Sequence, residues 1–243
     1  MPFAEGVALI PLTGIGEVAP GADLARVLAD ALAPGRPGGP ALLDGDVVVV
    51  TQKVVSKAEG QLVAIDHNDQ AAKVALVERE SVRIVRRRGD LIISETRHGF
   101  ICANAGIDLS NVDAGTAALL PEDADRSARG IRAGLRHLLG VDVGVIVSDT
   151  FGRTWRRGVT DVAIGCAGVA AVIDLKGTLD ANGRELVATE VCVADELASA
   201  AELVMGKDRG VPAAIVRGVP ASWLRAASVR SEIVRPPEED LFR

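Results

Sequence analysis

Four consecutive valines, Val47–Val50, follow the turn-forming Asp44–Gly45–Asp46, and the chain becomes polar at Thr51. An unbroken apolar run of this length predicts a strand buried on both faces. Similar runs at Gly6–Leu12, Val141–Val147 and Val211–Gly218 predict further strands, while Asp90–Val112 reads as two short strands and a polar loop. Helical spacing of apolar residues predicts helices over Asp23–Ala33, Asp69–Arg87, Asp123–Leu139 and Val191–Met205, the third stopped by Gly140. Pro34–Pro40 reads as a surface connection, Ala181–Glu185 as a hairpin turn, and the tail from Arg235 as irregular until its end. Strands and helices mix without the alternation of a doubly wound sheet, so the expected class is α+β with mixed sheets, neither Rossmann nor P-loop. Residues 1–243 are expected to form a single domain, with a division into two intertwined subdomains left open.

Composition narrows the function. The net charge of −6 argues against coating duplex nucleic acid, whose affinity comes mainly from phosphate neutralisation. Aromatics are scarce and tyrosine is absent, which argues against stacking on single strands. Basic clusters at Arg83–Arg88 and Arg153–Arg157 suit a small polyanion better than a polymer. Cys102, Cys166 and Cys192 are widely separated and show neither metal-ligand nor redox spacing, as expected of free thiols in a reducing cytoplasm. The sequence shows no signal-peptide pattern and no apolar run long enough to span a membrane, so a soluble cytoplasmic protein is expected.

Polar clusters lie just beyond apolar strands or in glycine-rich loops: Thr51–Lys57, Gly106–Asn111 and Ser148–Thr150. Lysine and loop amides suit anions, while aspartate and threonine oxygens suit Mg²⁺ or Mn²⁺, and a nucleotide–metal site needs both. Local structure offers another use for each: an Asx turn for Asp108 and Ser110, a helix cap near Phe151 for Asp149 and Thr150, solvated charges for Lys53 and Lys57. No G-x-x-x-x-G-K-[ST] loop, zinc-spaced histidine pair or G-x-S-x-G elbow occurs.

Taken in order, "GDVVVVTQKVVSKAEG", "AGIDLSNV", "SDTFGRTWRRGVTDVAIGCAG" and "VADELASAAELVMGK" resemble the coenzyme F420-0:L-glutamate ligase family, and the likeness runs from "LIPLTGIGEV" to "VPAAIVRG". Some relatives carry a fused nitroreductase-like domain after this unit, and the present sequence ends at Arg243 without one. The resemblance implies an intertwined homodimer that joins L-glutamate to F420-0 with GTP and a pair of divalent metals, with a K⁺ requirement left open. It places Ile15, Gly16, Glu17, Val18, Gln52, Lys57, Asn111, Met205, Gly206 and Lys207 at the nucleotide, the last three in a segment, Met205–Pro212, that closes over it in family members. Asp108, Asp149 and Thr150 match metal ligands with a catalytic role.

Two positions depart from the family. Gln52 replaces a serine, and Lys207 replaces a glutamine that ligates the second metal in some archaeal members; an ammonium has no lone pair to offer a cation. Arg153, Arg156 and Arg157 are the expected anchors for substrate carboxylates and phosphodiester, with bracing of a dimer interface as their other use. Trp155 is expected to stack on a ring or anchor that loop. Glu190 and Asp195 are further candidates near the metals, Asp195 alternatively as a helix cap. The competing functional readings are a related ligase with a different carboxylate or amino acid, and a nucleotide-binding regulatory protein.

Overall fold

The computed structural model describes residues 6–33, 40–110, 112 and 114–242. All but the last residue of the expected connection Pro34–Pro40, and the expected nucleotide contact Asn111, lie outside the described residues. In chain order the elements are β1 (Ala8–Pro11), α1 (Leu24–Ala31), β2 (Val47–Thr51), α2 (Gln52–Ala58), β3 (Leu62–Ala64), α3 (Gln70–Arg79), β4 (Ser81–Arg88), β5 (Leu91–Thr96) and β6 (Ile101–Ala103). They continue with β7 (Thr116–Ala118), α4 (Ala124–Leu139), β8 (Gly144–Arg153), β9 (Arg156–Ala167), β10 (Ile173–Asp174), β11 (Glu190–Val191), α5 (Val193–Met205), β12 (Ala213–Arg217) and α6 (Val229–Glu232).

The valine run is the centre of the main sheet, whose order is β1-β12-β2-β8-β9. Side chains alternate across a strand, so Val48 and Val50 join Val145, Val147 and Ile215 in a core under α1 and α4, while Val47 and Val49 join Ile146, Ala214 and Val216 in a core under α5. All four valines are fully buried, each worth about 1.5–3 kcal/mol of transfer free energy. Among the described residues the only parallel pairing in this sheet is β2 with β8, in register from Val47↔Gly144 to Thr51↔Ser148. This is the expected α+β class, and the sheet is not a doubly wound one. Smaller sheets, β3-β7 and β4-β5-β6, have two small apolar cores of their own, one around Leu76 and Ala117, the other around Val77 and Ile92.

Local signals account for the helix ends. Asp23, Asp69 and Asp123 each accept a backbone N–H from the first turn of α1, α3 and α4, and Gly140 closes α4 in the left-handed region. The expected helix Asp69–Arg87 ends early: α3 stops at Arg79, and Ser81–Arg88 forms β4. Arginine favours helix, but β-branched Val82, Ile84 and Val85 favour strand, and Gly89 at φ +57° supplies the turn that pairs β4 with β5. Residues 181–185 lie at the expected hairpin turn, where Asp180 and Arg184 hydrogen-bond across it. Cys102, Cys166 and Cys192 are free thiols. Among the described residues no helix is long and apolar enough to cross a membrane.

Candidate active site

Because β2 and β8 are parallel neighbours, the polar end of β2 arrives beside Ser148, where β8 turns polar midway along its length, and the C-terminal end of a parallel pair is the usual place for a ligand. A cavity of about 850 Å³ opens there. Its walls come from the Ile15–Val18 loop, the β2–α2 junction, the Asn104–Ser110 loop, Asp149 and Thr150 of β8, and Met205–Pro212 after α5. All of the expected nucleotide contacts among the described residues line it, together with Asp108, Asp149 and Thr150.

The carboxylates in this region are unequally satisfied. Asp108 accepts Ser110 N–H at 2.7 Å and pairs with Lys53 Nζ at 2.8 Å. Burial opposes its charge, yet the bonds from Lys53 and Ser110 hold its carboxyl below the usual aspartate range. The Asx turn and the site role therefore coexist in one residue. Among the described residues Asp149 takes only the adjacent Thr150 N–H at 2.7 Å, and no cationic side chain pairs with it. Desolvation, then the charges of Asp108 and Asp161, push its carboxyl up to about 7 against the bond from Thr150 and the charge of Lys207. β8 runs through Asp149 and Thr150 to Arg153, so neither caps a helix.

Asp161 and Glu202 are not singled out by the sequence. The β8–β9 register sets Asp161 opposite Thr150, and its side chain, 2% exposed, accepts Ser148 Oγ at 3.1 Å and Thr150 Oγ1 at 2.7 Å. A register shift between Val147 and Ser148 lies beside this cluster, a common means of re-aiming side chains near a site. Lys207 Nζ donates to Asp161 Oδ1 at 2.7 Å, contacts Glu202 Oε1 at 3.2 Å and also donates to Thr150 Oγ1. Burial disfavours the Lys207 ammonium, but Asp161 and Glu202 more than offset this and raise its pKa. Gly206, at φ 67° and ψ 150°, directs the chain back toward β8, a conformation essentially restricted to glycine. The signal for Asp161 was present as "SDT" and "VTD" across one hairpin, but only the register shows that they face each other.

Other expected residues have definite positions. Gln52 is 1% exposed, and its amide donates to Ser56 Oγ and Leu119 O, so its side chain braces the cavity wall from within. Lys57 pairs with Glu17. Arg153, Arg156 and Arg157 do not line this chain's cavity; they surround the exposed tip of the β8–β9 hairpin, where Trp155 is 83% exposed. Glu190 pairs with Lys176 away from the cavity. Asp195 lies within the first turn of α5, whose N-cap is Cys192, and accepts Ala163 N–H at 2.9 Å.

One cavity residue, Asn104 at φ 50°, is a backbone outlier, as is its buried neighbour Ala105 at φ 55° behind the wall. Non-glycine residues pay strain in this region, and such strain concentrates at functional sites. Asn104 is fixed by accepting Ile92 N–H at 3.0 Å, which holds the loop that carries Asp108.

The F420-0:Gamma-glutamyl ligase family model matches residues 14–218, which include every element around the cavity. The chain belongs to this family. It is 46% identical to the Coenzyme F420:L-glutamate ligase of Methanothermobacter thermautotrophicus, over 98% of this chain and 99% of that protein. The Methanopyrus kandleri protein of the same name is 46% identical over 93% of this chain and 94% of its own length, and that of Methanocaldococcus jannaschii 41% over 82% and 85%. The ligase-family assignment thus joins a full-length sequence likeness to a cavity at the meeting point of the motifs that carry it.

The oxygen donors of Asp108, Asp149 and Thr150 fit a hard divalent cation. Among the described residues no group of three His, Cys, Asp or Glu forms a ready-made metal cage. One or two carboxylates completed by substrate phosphates is the usual arrangement for Mg²⁺. Lys207 does not fit the role of ligand.

Proposed function

We propose that this chain joins L-glutamate to coenzyme F420-0 in a GTP- and metal-dependent reaction. The observation that carries the reading is Asp149, a carboxylate midway along β8 that lines the cavity, under the charges of two other aspartates and without a cationic partner among the described residues. Such a group is built to receive a positive charge that arrives with a ligand. A bound Mg²⁺ or Mn²⁺ would neutralise charge on the GTP phosphates.

The remaining work belongs to the protein. Asp108 and Asp149 would hold the metal, with Thr150 beside them. Lys53 and Lys57 bring positive charge to the same cavity, and Ile15–Val18 and Met205–Pro212 form walls suited to enclosing a nucleotide. A carboxylate oxygen of F420-0 attacks the γ-phosphorus as the bond to the GDP oxygen breaks, giving an acyl phosphate. The glutamate amine, after losing a proton, attacks the acyl carbon; the carbon–oxygen bond breaks and phosphate leaves. Closing residues over the reactants excludes the water that would otherwise hydrolyse the acyl phosphate.

The arginines at the β8–β9 tip suit the carboxylates and phosphodiester of the substrates through bidentate pairing. Their position outside this chain's own cavity favours a homodimer in which the tip lies against a second copy. Mass spectrometry of the protein with F420-0, L-glutamate, GTP and Mn²⁺ tests the reading. A glutamyl mass increment that disappears when GTP or metal is omitted is expected; its absence in the complete mixture would overturn the assignment.

A further inference from the structure

Lys207 touches three oxygen-bearing side chains at once. Its ammonium donates to Asp161 and Thr150 and lies 3.2 Å from Glu202. Asp161 is 2% exposed and comes from β9, Thr150 is on β8, and Glu202 is on the last turns of α5. Three elements thus converge on one positive charge. The backbone at Gly206 is committed to a glycine-only conformation immediately before it. This is the arrangement of a built cation position, with hydroxyl and carboxylate oxygens as its donors.

A second cationic centre lies elsewhere in the cavity and is organised differently. Among the described residues Lys53 pairs with Asp108 alone of the carboxylates, while Asp149, which lines the same cavity and feels the charges of Asp108 and Asp161, has no cationic partner. The cavity therefore has one position already filled by protein and another left for an ion. We propose that the Lys207 ammonium is a permanent replacement for a second divalent cation, so that each active site of this chain takes one metal ion, on the Asp108–Asp149 side. The inference rests on the metal-dependent reading above and deepens it.

An ammonium delivers its charge through directional hydrogen bonds and cannot exchange with solvent cations, so its place does not depend on metal concentration. Thr150, which donates to Asp161 and accepts from Lys207, keeps one further lone pair for the ion beside it. Asp161 acts as a positioning residue: it fixes both the threonine hydroxyl and the lysine.

Mn²⁺ binding counted by electron paramagnetic resonance, in the presence of a non-hydrolysable β,γ-imido analogue of GTP, tests the proposal without requiring turnover. Wild type is expected to hold one Mn²⁺ per chain. Lys207→Gln, which supplies an acceptor and vacates the oxygens of Asp161 and Glu202, is expected to hold two. Lys207→Met, of similar length but without a charge or strong acceptor, also vacates those oxygens and should hold two. Two ions in wild type would overturn the proposal while leaving the metal reading intact. One ion in wild type and in both folded variants would overturn it as well, because Lys207 would not be what fills the second position. No Mn²⁺ in wild type would remove both the proposal and the metal-dependent reading beneath it.

Discussion

The two ends of β2 treat buried negative charge in opposite ways. At its start, Asp46 is 2% exposed and meets Arg217 through two bonds, at 2.8 and 2.7 Å, while Leu43 N–H donates to it at 2.9 Å. At the other end of the sheet's parallel pair, Asp149 has one backbone N–H and two aspartates for neighbours. A carboxylate supplied with donors contributes to folding. One left among like charges costs stability, a cost that accords with the proposal that a cation binds there. Asp125 belongs with Asp46: buried in α4, it accepts N–H groups of Cys166, Val229 and Arg230 and fastens α6 to the main sheet.

The largest effect that would break this comparison is on activity. Asp149→Asn is expected to lower ligation by on the order of 100-fold or more, since Asp149 is proposed to hold the metal and a ligand should matter at least as much as its supporting partners. Its thermal midpoint without ligand should be unchanged or raised, because a charge in a negative neighbourhood has gone. Calorimetry beside a rate measurement checks both signs. A large fall in midpoint would make Asp149 a structural residue like Asp46.

Asp46→Ala should behave in the reverse manner. It leaves Arg217 without its partner and is expected to cost roughly 3 kcal/mol, the low end for breaking a buried pair because Arg217 is one-third exposed. Urea denaturation gives the loss directly, and activity of the fraction that remains folded should be near wild type.

A smaller effect sharpens the comparison through pH. Arg225 grips Glu232 through two bonds and, with Val172 N–H, holds its carboxyl below the usual glutamate range despite partial burial. A depressed folded-state pKa means that the contribution is present above the unfolded value and lost as pH falls through the folded one. The stability difference between wild type and Glu232→Gln should therefore be constant near neutrality and shrink below about pH 4.5, the region of an unperturbed glutamate. Both side chains reach solvent, so the difference is expected to be under about 1 kcal/mol.

The fold was legible where one local rule decided the structure. The valine run announced its two-faced burial, and Gly140 announced the end of α4. Ser81–Arg88 was misread because helix propensity in the arginines competed with β-branched neighbours, and a hairpin partner settled the contest. At the site, Asp108, Asp149 and Thr150 stood out as polar residues closing apolar or glycine-rich segments. Asp161 and Glu202 did not, because their importance arises from strand register and from the packing of α5 on the sheet, which a single sequence does not state.

We propose that Asp149, without a cationic partner among the described residues, is kept for a cation that arrives with nucleotide. Titration of wild type with the β,γ-imido GTP analogue by isothermal calorimetry, with Mg²⁺ and then with chelator, tests it most directly. Affinity at least about tenfold tighter with Mg²⁺ is expected, equivalent to roughly 1.4 kcal/mol of coupling. Equal affinity under the two conditions would contradict it.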